Sequence, residues 1–282
     1  MRARVPASSA NLGPGYDVLA VALSLYCEVT VEPAARLEIT AEGEGSELPR
    51  DSTHLAAAVV RQVLGHDDVS ISVRSEIPVS RGLGSSAALA LAAAAASGAE
   101  DPLAIAASVD GHAENAAASC LGGLVAATMI DAKPVAGRLA LDPSLNYVVL
   151  IPDRELATKQ ARSVLPSEVA LEDAVHNLGR MGLLVAGLAD RSALVPEAGA
   201  DRLHQDARSA LFPEAPELLA RLLKGGALAA TWSGAGPTLL GLCDADDASK
   251  LRDAGEQALA DLGVPGKALV LYADLVGLVV EA

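Results

Sequence analysis

Pro78-Val-Ser-Arg-Gly82-Leu-Gly84-Ser85-Ser86-Ala87-Ala88 is the stretch on which the reading of this chain turns. Before it, Val69-Ser-Ile-Ser-Val73 alternates strictly between apolar and polar, as a strand does when one face is buried and the other wet. After it, residues 83–97 read as a helix dominated by alanine. Two glycines at such a junction let the backbone approach a ligand closely and turn successive N–H groups inward. The helix adds the free N–H groups of its first turn and the positive end of its dipole, which together favour an anion such as phosphate. Ser85 and Ser86 add hydroxyls for phosphate or for a bound magnesium ion. The same string also serves as a tight strand-to-helix turn with a serine cap, a purely structural role. Two competing phosphate motifs are excluded. No GxxxxGK[ST] is present, since Gly266-Lys267 is followed by neither Ser nor Thr. The GxGxxA fit to a dinucleotide fingerprint fails because the preceding strand is half polar and the acids that follow, Glu100 and Asp101, fall in an interhelical turn.

Outward from the loop, strand patterns lie at residues 25–31 and 37–41, and a helix pattern at 51–64 opens on Ser52 or Thr53 as its cap. Downstream comes the breaker Ser97-Gly98-Ala-Glu-Asp-Pro102, then a helix over 102–117 and strands at 124–130 and 137–141. A fresh strand starts at Tyr147-Val-Val-Leu-Ile151 after the turn Asp142-Pro-Ser-Leu-Asn146. Helices are expected over 167–190, 201–210, 214–223 and 246–262, with strands at 227–232, 238–243 and 268–272. Strands and helices are segregated rather than alternating as βαβ units, so the class is α+β with two lobes. The division is placed near residue 145, giving domains 1–145 and 146–282.

A chain of 282 residues buries a substantial core, as one large or two modest domains. Hydrophobic residues make up 51%, but alanine supplies much of that and aromatics only 2%, so helix contacts should be close and smooth. The net charge of −15 argues against a nucleic-acid partner, which needs clustered Lys and Arg. It leaves room for a small anionic ligand, since a few local cations or backbone N–H groups suffice. Cys27, Cys120 and Cys243 form neither a disulfide framework nor a CxxC metal pair and read as reduced, buried thiols. The polar run Pro6-Ala-Ser-Ser-Ala-Asn11 comes almost at once and is no signal peptide; the apolar run 87–96 is too short for a bilayer. A soluble, cytoplasmic protein without a membrane partner is expected.

The longer string P-x-x-x-G-L-G-S-S-A resembles the ATP motif of the GHMP kinases, the family of galactose, homoserine, mevalonate and phosphomevalonate kinases. Two more segments fit in family order. Pro6-Ala-Ser-Ser-Ala-Asn11-Leu-Gly13-Pro-Gly15-Tyr-Asp17 is similar to the N-terminal motif, and Ser233-Gly234-Ala-Gly236-Pro-Thr238 to the C-terminal glycine-rich loop. Three further stretches resemble the homoserine kinase branch: Asp110-Gly-His112-Ala-Glu114-Asn115 with Leu121-Gly122-Gly123 (E-G-H-x-D-N…L-G-G), Thr158-Lys-Gln-Ala-Arg162-Ser-Val-Leu-Pro166, and Asp201-Arg-Leu-His204-Gln-Asp-Ala-Arg208. The resemblance implies a two-lobed GHMP kinase-like fold, with an N-terminal lobe like ribosomal protein S5 and a ferredoxin-like C-terminal lobe. It implies ATP-dependent phosphorylation of L-homoserine, often by a homodimer.

Carried over by position, Pro78, Val79, Ser80, Arg81, Gly82, Leu83, Gly84, Ser85, Ser86, Ala87 and Ala88 form the ATP loop, and Thr53, His54 and Leu55 match a segment near the adenine. Mg²⁺ falls to Ser86 and Asp110. Asp17 meets the ammonium of the acceptor, Arg162 and Arg208 clamp its carboxylate, and Asn11 and Asn115 position it. Asn115 and His112 stand near the attacking hydroxyl as the catalytic pair. The chemistry is coherent, because a zwitterion needs one anion and a cation pair, and arginine binds carboxylates bidentately. His176 and His204 are read as structural. Two departures stand out: the motif's Glu is Asp110 here and its Asp is Glu114, and Ala207 replaces a common aromatic. Asp110 is then expected to reach the metal through a bridging water or a shifted helix, with Glu114 either a competing ligand or a helix-face carboxylate. Sister kinases use an Asp–Lys pair on the hydroxyl. The five lysines here (Lys133, Lys159, Lys224, Lys250, Lys267) all lie outside the catalytic positions of these motifs, so positioning and charge neutralisation should carry the rate. A mevalonate- or sugar-type kinase and a silent ATP-binding regulator are the alternatives.

Overall fold

The structure, a computed structural model, describes residues 1–281. Its first half runs β1 (Arg2–Ala10), β2 (Leu19–Pro33), β3 (Glu38–Gly43), α1 (Leu55–Leu64), β4 (Val69–Ser75), α2 (Ser85–Ala96), α3 (Pro102–Asp110), α4 (Glu114–Leu121), β5 (Leu124–Ile130) and β6 (Lys133–Leu139). The second half runs β7 (Leu145–Pro152), α5 (Thr158–Ser163), α6 (Leu171–Ala189), α7 (Gln205–Arg208), α8 (Ala215–Gly225), β8 (Ala229–Trp232), β9 (Leu239–Asp244), α9 (Ala248–Asp261), β10 (Gly266–Leu271) and β11 (Val279–Glu281). Two sheets result. The seven-stranded one is ordered β11-β1-β2-β4-β3, with β5 on the other end of β2 and β6 beside β5. The four-stranded one is ordered β10-β7-β9-β8 and is antiparallel throughout. The chain's last strand thus pairs with its first, Arg4 opposite Val279.

Helix α2 lies at the centre. Nine of its residues are buried, eight of them alanine or leucine within 87–95. It packs against β1, β2, α1, α3 and α4. A helix apolar on all sides belongs inside a core, and alanine's small side chain lets five neighbours come close. The main core continues without a break from Val5, Leu23 and Leu91 to Tyr147, Val149 and Leu240 on the second sheet and Leu188 on α6. The opposite face of that sheet, with Val148, Leu150 and Trp232, is covered by α8 and α9. Both faces of β7 are therefore buried, which explains its unbroken apolar run.

Three elements depart from the sequence reading. The helix expected over 102–117 is two helices: Gly111, at φ +77°, ends α3 with its N–H on the Ala107 carbonyl, and α4 starts afresh at Glu114. The cap of α1 is neither Ser52 nor Thr53 but His54, whose Nδ1 accepts from Ala56 N at 3.2 Å. Thr53 instead bonds Asp51 at 2.6 Å. The polar run at the N-terminus, to which the sequence reading assigns no element, is strand β1, with Ser8 and Ser9 buried and hydrogen-bonded. Among the described residues no helix is long and apolar enough to cross a membrane.

Candidate active site

A cleft of about 230 Å³ runs between the glycine loop and the far ends of β1 and α5. At one end Leu48, His54, Leu55, Val79 and Leu89 make an apolar wall. The loop itself is held by backbone. Ser8 N–H donates to the Leu83 carbonyl at 3.1 Å, Leu156 N–H to Ser80 at 3.1 Å, and Ser233 Oγ to Gly82 at 2.7 Å. Gly82 sits at φ +76°, and a Cβ there would meet Ser233 O at 2.3 Å and Gly236 N at 2.8 Å. Gly84, at φ +70°, is the N-cap of α2 and lies against Ser8 and Asn115. Of the loop positions singled out in the sequence, Val79, Ser80, Arg81, Gly82, Gly84, Ser85 and Ser86 line the cleft. Pro78, Leu83, Ala87 and Ala88 are buried beneath it. Arg81 donates its guanidinium to the carbonyls of Val79, Pro152 and Asp153.

The other end is built from side chains of both halves. Asp17, at φ +55°, pairs with Arg162 NH2 at 2.7 Å, and Tyr16 OH accepts from Arg162 NH1 at 2.9 Å. Arg208 is 2% exposed and donates through NH1 to Gly234 O and His204 Nδ1, both at 2.8 Å; its Nε has no partner among the described residues. Both guanidinium carbons stand 5.6 Å from the Tyr16 ring centroid, within cation–π range. Asn11 uses both ends of its amide locally, donating to Gly234 O at 2.8 Å and accepting from Asp17 N at 3.0 Å. It fixes the turn that presents Asp17. His204 donates through Nε2 to Gly13 O at 2.8 Å, which leaves Nδ1 to accept from Arg208. Burial, reinforced by Arg208 and only partly offset by Asp201, pushes its pKa down to about 4. Burial likewise lowers Arg208.

Between the two ends lie Asp110, His112, Glu114 and Asn115. The break at Gly111 turns all four toward the cleft. Burial raises the Asp110 carboxyl above its ordinary value, with His112 and the neighbouring Ser86 hydroxyl pulling the other way. A carboxylate beside a hydroxyl is a hard-oxygen donor set, which fits magnesium. Burial alone would lower the His112 imidazole, but Glu114, whose Oε1 is 2.8 Å from Nδ1, outweighs it and raises the pKa. Asn115 Oδ1 accepts from Ser8 Oγ at 2.9 Å, and its amide donates to Glu114 at 3.3 Å.

The structure thus brings together Asn11, Asp17, the loop, Ser86, Asp110, His112, Asn115, Arg162 and Arg208. Thr53 falls outside the cleft lining, while His54 and Leu55 are in it. Sequence reasoning missed Tyr16, Ser8 and the buried place of Glu114, and it left His204 as structural without its link to Arg208. Tyr16 had a signal: a lone aromatic inside a motif, in a chain with only four tyrosines.

Known proteins align with this arrangement. The GHMP kinases N terminal domain family matches residues 51–123 and the GHMP kinases C terminal family residues 173–261. A homoserine kinase of Desulfitobacterium hafniense is 35% identical over an alignment that covers 98% of each chain. A homoserine kinase of Streptomyces coelicolor is 41% identical over 269 aligned residues, covering 89% of this chain and 87% of its own. The crystal structure of homoserine kinase from Cytophaga hutchinsonii superimposes with a TM-score of 0.87 at 27% identity, covering 100% and 97% of the two chains. A mevalonate kinase from L. major shares the fold at TM-score 0.72 and 16% identity.

Proposed function

We propose that this chain, which belongs to the GHMP kinases and within them to the homoserine kinase family, transfers a phosphoryl group from ATP to the side-chain hydroxyl of L-homoserine. The products are ADP and O-phospho-L-homoserine, with the hydroxyl proton released. The observation that carries the acceptor's identity is the Asp17–Arg162 pair, flanked by Tyr16 and Arg208, at the end of the cleft remote from the apolar wall. An anion and two guanidiniums close together match a free amino acid: the ammonium goes to Asp17 and the carboxylate to Arg162 and the open Nε of Arg208. Mevalonate or a sugar would leave Asp17 paired with Arg162 and gain nothing from displacing either.

The adenine lies against Leu48, His54, Leu55 and Val79, and the phosphates against the loop between Val79 and Ser86. Gly82 and Gly84 leave room for phosphate oxygens beside backbone N–H groups, and the first turn of α2 aims its dipole at them. Ser86 and Asp110 would hold a magnesium ion, whose charge offsets that developing on the transferred phosphoryl group. Asn115 holds the acceptor hydroxyl in line, with His112 beside it. Among the described residues no lysine lines the cleft, so the residues contribute positioning and charge rather than a strong base. A cytoplasmic location and a homodimer belong to the same proposal.

An ADP-release assay with L-homoserine, mevalonate, galactose or no acceptor tests the reading. Turnover is expected with L-homoserine alone; equal rates without acceptor would leave only an ATPase. Asn115→Ala should cut kcat with L-homoserine by about 10²-fold, and a variant near wild type would remove Asn115 from the hydroxyl.

A further inference from the structure

We infer that Ser8 is a positioning residue for the phosphoryl transfer. Its backbone N–H holds the nucleotide loop and its hydroxyl holds the Asn115 amide, so one residue fixes the donor phosphate and the acceptor hydroxyl relative to each other. This rests on the function proposed above and adds to it a residue that touches neither substrate.

Ser8 is fully buried in β1, the strand that packs against both α2 and α4. Its N–H donates to Leu83 O at 3.1 Å, between the two glycines of the loop. Its Oγ donates to Asn115 Oδ1 at 2.9 Å, across 107 residues of sequence. The hydroxyl occupies space that Gly84 leaves open: a Cβ at position 84 would collide with Ser8 Oγ and stand 3.2 Å from Asn115 Oδ1. Loop, strand and α4 thus meet at a single hydroxyl. A buried serine needs a partner, and most side-chain hydrogen bonds go to backbone or water. Ser8 bonds instead to a side chain that lines the cleft.

That bond decides which way the Asn115 amide faces. An amide presents an acceptor at one corner and two N–H donors at the other, in nearly the same shape. The carboxylate oxygen Oε1 of Glu114 accepts from Asn115 Nδ2 at 3.3 Å, while Ser8 supplies the donor for Oδ1. Both contacts select one orientation, and the remaining N–H of Nδ2 is left for the oxygen of the acceptor hydroxyl. Without the Ser8 hydroxyl only the longer contact to Glu114 holds the amide, which is then free to swing or invert. A shift of about 1 Å in a positioning group costs up to about 10²-fold in rate. Removing the hydroxyl leaves the backbone N–H, so the loop keeps its anchor. Asp17, Arg162 and Arg208 still meet the charged groups of the acceptor. The effect belongs to the chemical step rather than to binding.

Steady-state kinetics on Ser8→Ala test this. With ATP and L-homoserine, kcat should fall by about tenfold or more, while the KM for each substrate stays within about twofold. A double-mutant cycle with Asn115→Ala gives the second readout. Once the Asn115 amide is gone, losing the Ser8 hydroxyl should cost less than about twofold further in kcat. An unchanged kcat in Ser8→Ala, a loss carried by the KM for ATP, or losses that multiply in the double variant would each overturn the inference. Ser8→Cys is close in size and a weaker donor, so its kcat should lie between those of the wild type and Ser8→Ala. It carries the same cycle should Ser8→Ala not fold. A wild-type protein that releases no ADP with L-homoserine would sink the function proposed above, a result that none of the variants can mimic.

Discussion

The two ends of the cleft are made of different materials. The nucleotide end is backbone: a contiguous loop whose carbonyls and N–H groups are pinned by Ser8, Leu156 and Ser233, with glycine where a side chain would collide. The acceptor end is side chain: Asp17, Arg162 and Arg208 come from three separate segments, and Asp17 and Arg162 are paired before any ligand arrives. A backbone cradle reads only phosphate and tolerates many acceptors. A constellation of opposed charges reads one class of small molecule. The fold itself is shared with a mevalonate kinase at a TM-score of 0.72 and 16% identity. The contrast between the ends also says where each should break.

The largest effect should follow Gly82→Ala. Three of the atoms a Cβ would strike, Ser233 O at 2.3 Å, Gly236 N at 2.8 Å and Gly236 O at 2.9 Å, are backbone and cannot swing aside. The residue also sits at φ +76°, where a side chain adds strain of about 1–2 kcal/mol. Unfolding free energy should drop by roughly 3 kcal/mol in urea titration, and ATP affinity by more than about 10²-fold. Gly84→Ala sharpens the point, since its closest contact is the Ser8 side chain, which can rotate. Its loss of stability should be clearly smaller. Equal losses would mean that conformation alone, and not the contact with the C-terminal loop, requires glycine at 82.

The same contrast governs what was legible in the sequence. The loop is contiguous, so residues 78–88 could be read locally for their conformation, and α2 could be read from its run of alanines. Helix 102–117 read as continuous because a lone glycine is tolerated inside a helical pattern. Only packing reveals that Gly111 takes a left-handed conformation and turns Asp110, His112 and Glu114 into the cleft. Arg208 is assigned to the acceptor only through the resemblance, since on pattern alone an arginine in a helix over 201–210 is a solvated charge. It is buried because α7 is a single turn held by Asp201, whose carboxylate accepts from the His204 and Gln205 N–H groups at 2.8 Å. One turn has no periodicity to detect. Polar β1 was hidden for a related reason: the partners that satisfy Ser8 and Ser9 lie more than a hundred residues away.

A pH titration separates the two ends next. His204 faces Asp201, Arg208, Asp17 and the Tyr16 ring, and its pKa is held down to about 4. Unfolded, it takes up a proton near 6.5. Between those values the unfolded state binds more protons, so stability is complete above pH 6.5 and is lost as pH falls toward 4. The contribution is up to roughly 3 kcal/mol. His54, at the nucleotide end, is also lowered by burial and adds a slope of the same sign. Urea midpoints measured from pH 7 to 4 should therefore fall, and His204→Gln, which keeps a donor for Gly13 O, should flatten most of that fall. A profile unchanged by His204→Gln would assign the slope to other groups.

Tyr16 offers the finest test, because it distinguishes a hydroxyl from a ring at the acceptor end while the nucleotide end stays untouched. Its hydroxyl accepts from Arg162 at 2.9 Å, and its ring lies 5.6 Å from both guanidinium carbons and 5.2 Å from His204. Tyr16→Phe removes one hydrogen bond to a charged group and keeps the ring, so the KM for the acceptor should rise by about fivefold, near 1 kcal/mol. The KM for ATP should not move. Tyr16→Ala removes the platform for both arginines as well and should cost several times more. If the two variants were equal, the hydroxyl alone would hold Arg162, and the ring between the arginines would be packing. If Tyr16→Phe raised the KM for ATP as much as for the acceptor, the two ends would be coupled through Arg162, and the division of the cleft into a backbone half and a side-chain half would fail.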